Sequence, residues 1–513
     1  MSPAVISITI VAYFIILFTI SYIAGRKADN EGFFVGNRKS AWYIVAFAMI
    51  GSTISGVTFV SVPGMVQASS FSYLQMVLGF IVGQIIIAFV LVPLFYRMNL
   101  VSIYEYLENR FGSSSYKTGA WFFFISKMLG AAVRLFLVCL TLQFLIFDPF
   151  HLPFLLNVIL TVFIVWLYTF RGGVKSLIWT DVLKTFCLVV SVVLCIYYIA
   201  SSLHLNFSGL VSTISDSDFS KTFFFDDVND KRYFFKQFLA GVFTVIAMNG
   251  LDQDMMQRNL SCKNFRDSQQ FLQLRLRCKN FCESRKNMIT SGISQFFVIL
   301  LFLMLGVLLY TFTAQQGIGN PEKSDELFPM IATGNYFPGI VGILFIIGLI
   351  ASAYSAAGSA LTALTTSFTV DILHAQKKGE AALSQIRKHV HIGMAVVMGA
   401  VIFVFNLLNN TSVIDAIYTL ASYTYGPILG LFAFGIFTKK QVYDKYIPLV
   451  AIASPILCYI LQRNSEAWLN GYQISYELLI INALFTFLGL CLFIKRQDKE
   501  TSYTTHTTKQ KVK

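Results

Sequence analysis

Thirteen stretches of this sequence are apolar for about twenty residues at a time, starting near residues 4, 41, 73, 116, 152, 177, 234, 288, 337, 390, 412, 446 and 474. A helix that crosses the ~30 Å hydrocarbon layer needs about 20 such residues. Only helices and closed barrels satisfy every backbone polar group at that depth. Runs this long and numerous predict an all-α integral membrane protein of about 13 transmembrane helices. Composition agrees, since 13% of the 513 residues are charged against roughly 25% in soluble proteins.

The net charge of +13 points to the bilayer rather than to nucleic acid. Most of the 39 Lys and Arg fall in alternate loops, which places those loops in the cytoplasm and the N-terminus outside. That is the pattern of a multi-pass protein of the cell membrane. The first run, "SPAVISITIVAYFIILFTISYIAG", is followed rather than preceded by basic residues (Arg26, Lys27). It is therefore a retained helix and not a cleaved signal. "CKNFRDSQ" at 262–269 recurs as "CKNFCESR" at 278–285, a duplication expected in an inner loop. Cys278 and Cys282 lack a second ligand pair, so no zinc site is expected. Without a Walker loop, an HExxH or a GxSxG in a suitable context, nothing points to an enzyme.

Two runs are interrupted. In "AMIGSTISGVTFVSVPG", Gly51 and Gly56 bracket a Ser/Thr-rich centre and Pro63 follows; in "AGVFTVIAMNGLDQDMMQR", Asn249, Gly250 and Asp252 break the apolar pattern. These runs are the second and the seventh. An odd offset of five makes equivalent helices antiparallel, the pattern of an inverted repeat with broken helices near the midplane. A third run carries hydroxyls in place of bulk. Ser352, Ser355, Ser359, Thr362, Thr366 and Thr369 follow a 3-4-3-4-3 spacing, one continuous face of a helix. Such a face either lets a neighbouring helix approach closely or supplies oxygens to a small cation together with carbonyls freed at a break.

With "FFVGNRKSAW", "YTFRGGVKSLIWTDV", "GLDQDMMQR" and "SALTALTTSFTVDI", the chain resembles the sodium:solute symporter family, which has the leucine-transporter fold. The resemblance implies a 5+5 inverted-repeat core with broken first and sixth core helices. Residues 1–25 would be an extra N-terminal helix, 41–203 and 232–438 the two repeats, 444–496 two further helices and 497–513 a cytoplasmic tail. It also implies a sodium site. Matched motif to motif, its carbonyl ligands fall on Gly51, Ile54 and Ser352, and its first hydroxyl on Ser355. The second hydroxyl position is Ala356, with Ser359 one turn on as its substitute. Asp181, in "WTDV", matches an acid that holds a second sodium or guides ion release in some relatives; its alternative is a pair with Lys184. Gly358 replaces one hydroxyl of that second site, which favours one sodium per cycle.

For the solute, Arg134 is the strongest residue. It lies midway along the fourth run, and charges at that depth serve function by default. A guanidinium there can pair bidentately with a carboxylate, or pair internally with an acid such as Asp252. Lys127 is seven residues earlier, on roughly the same face. Sugar-carrying relatives have an acid and an amide on the first core helix, where this chain has Val57 and Thr58, which argues against a hexose. By matched position, Thr53, Tyr73, Gln75, Asn249, Thr419 and Tyr423 join them as substrate-site candidates.

The expected function is sodium-coupled import of a small organic solute, an anion for preference, by alternating access. Its partners are the solute, Na+ and the lipid bilayer. The alternatives are a proton-coupled or sodium-independent carrier on the same fold, which Ala356 keeps open, and a transporter-like sensor.

Overall fold

The computed structural model describes residues 3–25, 56–98, 102–253, 255–256, 270–321, 324–373, 375, 379–408 and 413–495. Among them all regular structure is helical, apart from one isolated bridge between Val442 and Ile494. The main helices are α1 (Pro3–Gly25), α2 (Gly56–Ser69), α3 (Tyr73–Ile86), α4 (Ser113–Leu142), α5 (Phe154–Ser202) and α6 (Phe234–Val245). They continue as α7 (Gln270–Gln315), α8 (Gly339–Ser367), α9 (Glu380–Leu408), α10 (Val413–Phe437), α11 (Ile447–Trp468) and α12 (Leu478–Leu492). Eight described stretches are long and apolar enough to cross a bilayer, and shorter apolar helices fall on other runs of the sequence. Of the second run only the part from Gly56 onward is described.

Two expected loops are helical. The fifth and sixth runs share α5, whose backbone stays helical through Arg171–Asp181. Gly172 and Gly173 are tolerated there, each at about 1 kcal/mol relative to Ala. At 1.5 Å per residue the element measures ~74 Å, more than twice the hydrocarbon thickness. Likewise α7 begins at Gln270, so the second copy of the duplicated segment is helix rather than loop. Its sequence lacks Gly and Pro from 270 to 291 and is rich in Leu, Gln, Arg and Lys, all good helix formers. The first copy lies outside the described residues.

The break in the seventh run is present. α6 passes into a π-helical turn at Ile246–Gly250, and Leu251 leaves helical geometry at φ −108°, ψ 15°. The freed groups are taken up locally, as buried backbone requires. The Tyr104 hydroxyl donates to the Leu251 carbonyl (2.9 Å), and the Ile103 amide donates to Gln253 Oε1 (2.9 Å). The break expected in the second run, at residues 51–55, falls outside the described residues.

α8 is the hub. It packs on α5, α4, α9, α1 and α2, and its residues from Leu349 to Ser355 are all buried. Around it, α6 packs on α3 while α2 packs on α7. Both crossings are made close by glycine. A Cβ on Gly79 would lie 2.2 Å from the Phe238 carbonyl oxygen, and one on Gly241 2.1 Å from that of Met76. At the second crossing, a Cβ on Gly306 would lie 2.5 Å from the Pro63 carbonyl oxygen. α2 and α3 are joined through a tight turn in which Ser70 has φ +52°.

The connection from Phe207 to Tyr233 is also ordered. Gln75 Nε2 donates to the Arg232 carbonyl (2.8 Å), and Gln75 Oε1 accepts from the Phe224 amide (3.2 Å). Arg232 covers the Phe224 ring at 4.5 Å and pairs with Asp230 at 2.8 Å. The hydrogen bond from Arg232 holds the Asp230 carboxyl below its ordinary pKa.

Candidate functional site: a cavity at the helix break

A cavity of about 130 Å³ lies where the broken end of α6 meets α2, α4, α8 and α10. Its size admits several waters or a small solute. α4 contributes Lys127, Gly130 and Arg134, which share one helix face by their i, i+3, i+7 spacing. Asn249 and Asp252 come from the break itself, and Val57 and Thr58 from the first turn of α2. Ser355, Ala356 and Ser359 face it from α8.

The charges in the cavity are sorted by geometry. Asp252 is 2% exposed, too buried to stand as an isolated carboxylate. Lys127 Nζ donates to both of its oxygens at 3.1 Å, and the Tyr425 hydroxyl donates to Oδ2 at 2.6 Å. Asp252 is therefore claimed by Lys127. Arg134, also in the cavity wall, has a buried Nε with no hydrogen-bond partner among the described residues. Of the two roles left open for Arg134, an external carboxylate or an internal pair with an acid such as Asp252, the second meets an acid already held by Lys127, two turns away.

The hydroxyl face of α8 divides into segments with different roles. Thr362 donates to the Gly358 carbonyl and Thr366 to the Thr362 carbonyl, both at 2.9 Å, so their own helix satisfies them. Ser355 and Ser359, one turn apart, line the cavity on either side of Ala356. The Ser352 hydroxyl is fully buried and has no hydrogen-bond partner among the described residues. The start of α2 lies directly against it, since a Cβ on Gly56 would sit 3.6 Å from Ser352 Cβ and 3.6 Å from the Leu349 carbonyl oxygen. On a neighbouring face, Thr365 and Thr169 contact the two ring nitrogens of buried His391 at 2.8 and 3.0 Å. That histidine lies in α9 as a packed helix–helix bridge.

Of the residues expected at the substrate site, Val57, Thr58, Arg134 and Asn249 are brought together. Four are placed elsewhere. The Tyr73 hydroxyl bonds that of Tyr418 at 2.8 Å and stands behind this cavity-lining side chain. Gln75 is occupied with the connection to α6, as described above. The Tyr423 hydroxyl donates to Gln462 on α11, and Thr419 does not line the cavity although its neighbours Tyr418 and Leu420 do. Gly51, Thr53 and Ile54 lie outside the described residues, and the Asp181 side chain is likewise not described, although its backbone is helical. Sequence reasoning missed Ser126, Gln295 and Tyr425 as cavity residues. Tyr425 was legible in principle, being one turn from Ala421 and two from Ile417 on the same face of α10.

Helices that span a membrane, a hub helix rich in hydroxyls and a charged cavity at a helix break together define a membrane transporter. Residues 33–443 match the model of the sodium:solute symporter family, and the chain belongs to that family; it is a transporter and not an enzyme. A sodium/sialic acid symporter of Aliivibrio fischeri is 26% identical over 438 residues, covering 82% of this chain and 80% of that one. Sodium-coupled monocarboxylate transporter 1 of Mus musculus is 24% identical over 430 residues, covering 81% of this chain and 66% of its own length. The solved structure of a Na+-coupled sialic acid symporter, in a substrate-bound outward-open state, superposes with a TM-score of 0.78 at 20% identity, covering 96% of this chain and 99% of that one. The fold is thus the leucine-transporter type.

Proposed function

We propose that this protein couples sodium to the import of a small organic monoanion, with Arg134 holding the negative group. One observation carries the reading: the cavity's only acid among the described lining residues, Asp252, is already bonded to Lys127, which leaves Arg134 as the uncompensated charge. Two cations and one anion give the cavity a net charge of +1, which one carboxylate neutralises. The relatives named for sialic acid and for monocarboxylates support the same class.

Sodium binds where the start of α2 meets α8. Ser352, Ser355 and Ser359 supply oxygens from α8, and the carbonyls of Gly51 and Ile54 supply the remainder. Support comes from the buried, unpartnered Ser352 hydroxyl beside Gly56 and from the presence of Ser359 one turn beyond Ala356. Asp181 remains the candidate for a second ion or a release path. The alternative of a proton-coupled or sodium-independent carrier loses ground, because Ser359 faces the cavity beside Ala356.

The inverted repeat, residues 41–203 and 232–438, is supported by the packing. Exchanging the first and second helices of one repeat with those of the other turns the α6–α3 crossing into the α2–α7 crossing, and both are close glycine contacts. Transport then proceeds by rocking the broken helices against the scaffold. The cell membrane is the proposed location, with the N-terminus outside, residues 444–496 adding two helices and the tail from 497 in the cytoplasm. In proteoliposomes with an inward sodium gradient, labelled carboxylates should accumulate, and Arg134→Gln should abolish this. Accumulation that persists in Arg134→Gln contradicts the assignment.

A further inference from the structure

Past Ile86, α3 continues through a π-helical turn, Ile87–Leu91, into a last stretch, Val92–Met98. The turn has two faces. Ile87 and Leu91 are buried, and a Cβ on Gly250 would lie 2.8 Å from Ile87 Cγ1 and 2.7 Å from Leu91 Cδ1. Phe89 and Val90 are 52% and 43% exposed, within a stretch long and apolar enough to span the bilayer, so they face lipid. From them a groove of about 480 Å³ runs between the end of α3, with Leu94 and Arg97, and the end of α10, with Gly435 and Ile436.

Two polar side chains stand in this apolar groove. One is Arg97, which is exposed; the other is Tyr106, from the short helix Glu105–Arg110, which is 6% exposed. Neither the guanidinium nor the Tyr106 hydroxyl has a hydrogen-bond or ion-pair partner among the described residues. The hydroxyl stands at the groove wall, since a Cβ on Gly435 would lie 2.9 Å from it. The carbonyls at the end of α10 are served by a different residue: Arg110 donates to those of Gly435, Thr438 and Lys440 at 3.3, 2.9 and 2.8 Å. Lys439 and Lys440, both exposed, add positive charge at that end, and no acid is among the described lining residues.

The chemistry selects the occupant. An arginine fork and a phenol hydroxyl offer donors to an oxyanion, best a phosphate or carboxylate. The aromatic and aliphatic walls require an apolar chain covalently attached to that anion. A zwitterionic lipid brings its own cation to a site that already has one.

We propose that this groove binds one anionic phospholipid, its phosphate held by Arg97 and Tyr106 and an acyl chain laid along Phe89, Val90 and Leu94. On the topology proposed above it opens to the inner leaflet, whose surface is negative; it is otherwise independent of the sodium and anion assignments. Because the same π-helical turn packs on Gly250, the lipid braces the break in α6 from behind.

The test follows thermal stability of the purified full-length protein in detergent with added phosphatidylglycerol, phosphatidylcholine or glycerol phosphate. These are an anionic lipid, a zwitterionic lipid and an anionic head without chains. Phosphatidylglycerol should raise the melting temperature at a concentration at least fivefold lower than phosphatidylcholine, and glycerol phosphate should have no effect. Arg97→Gln should remove that preference, and Tyr106→Phe, which keeps the ring, should weaken it at least twofold. Lys445→Gln, which removes an exposed charge outside the groove, should leave it intact. An equal response to both lipids in wild type means that the groove holds only bulk lipid and overturns the proposal. A preference unchanged in Arg97→Gln, or lost equally in Lys445→Gln, assigns it to surface charge elsewhere and overturns it too. A response to glycerol phosphate equal to that of the lipid makes this a free-phosphate site, against the proposal. If Arg97→Gln does not fold, Tyr106→Phe decides: an unchanged preference there overturns the assignment.

Discussion

Arg134 and Lys127 carry the same charge on the same face of one helix, yet their environments give them opposite tasks. Lys127 is held by a carboxylate within hydrogen-bond distance, whereas Arg134 retains a buried donor for a ligand. Breaking a buried pair by removing one partner costs about 3–5 kcal/mol, because the remaining charge stays buried. Lys127→Met should therefore destabilise the protein by roughly that amount in a detergent unfolding assay, and Lys127→Met/Asp252→Asn should recover most of it. Equal losses in the single and double variants contradict the pairing. Arg134→Lys keeps the charge and loses the bidentate fork, so KM for the transported anion should rise about tenfold or more, a cost of ~1.4 kcal/mol, with stability little changed. Sequence alone singled out both residues by depth, but it could not assign Asp252, because the partner was decided by the path of the chain after the break. It also ranked Tyr73, Gln75 and Tyr423 as pocket residues by matched position. Each has the right chemistry, and each spends it on a neighbouring element.

At the scale of elements, the hydroxyl face of α8 shows why a periodic pattern can support two readings. Its C-terminal part, Thr362 and Thr366, bonds back to its own helix, as small-residue packing requires. Its central part faces the cavity. Spacing was legible; the division was not, because it depends on what lies opposite each turn. The break in α6 was legible from Asn249, Gly250 and Asp252. Helical continuity through Gly172 and Gly173 was not, since glycine marks a loop only where tertiary contacts allow it. The glycine crossings make a firm prediction. Gly79→Ala or Gly241→Ala places a methyl against a carbonyl oxygen at about 2 Å and should cost ~1–3 kcal/mol of stability, seen as a lower melting temperature. Gly339→Ala, with open space around it, serves as the comparison and should have little effect.

For the whole molecule, the proposed sodium site and the proposed anion site share one moving part. Under that proposal sodium at the α2–α8 junction holds the start of α2, and α2 lines the cavity with Val57 and Thr58. Linkage then requires each ligand to tighten binding of the other by the same factor. An anion that binds equally well with and without sodium contradicts that joint. The membrane class and the fold followed from run length, run interruption and motif, which are features of single segments. The charge pairing and the groove between α3 and α10 required the assembled protein.

The most direct test of the central claim is a titration of sodium against potassium at fixed ionic strength, following thermal stability of wild type and Ser355→Ala. Binding to the folded state raises stability by RT ln(1 + [L]/Kd). The account predicts a rise specific to sodium that is lost or sharply reduced in Ser355→Ala. Equal curves for the two cations, or a sodium response unchanged in the variant, would contradict it.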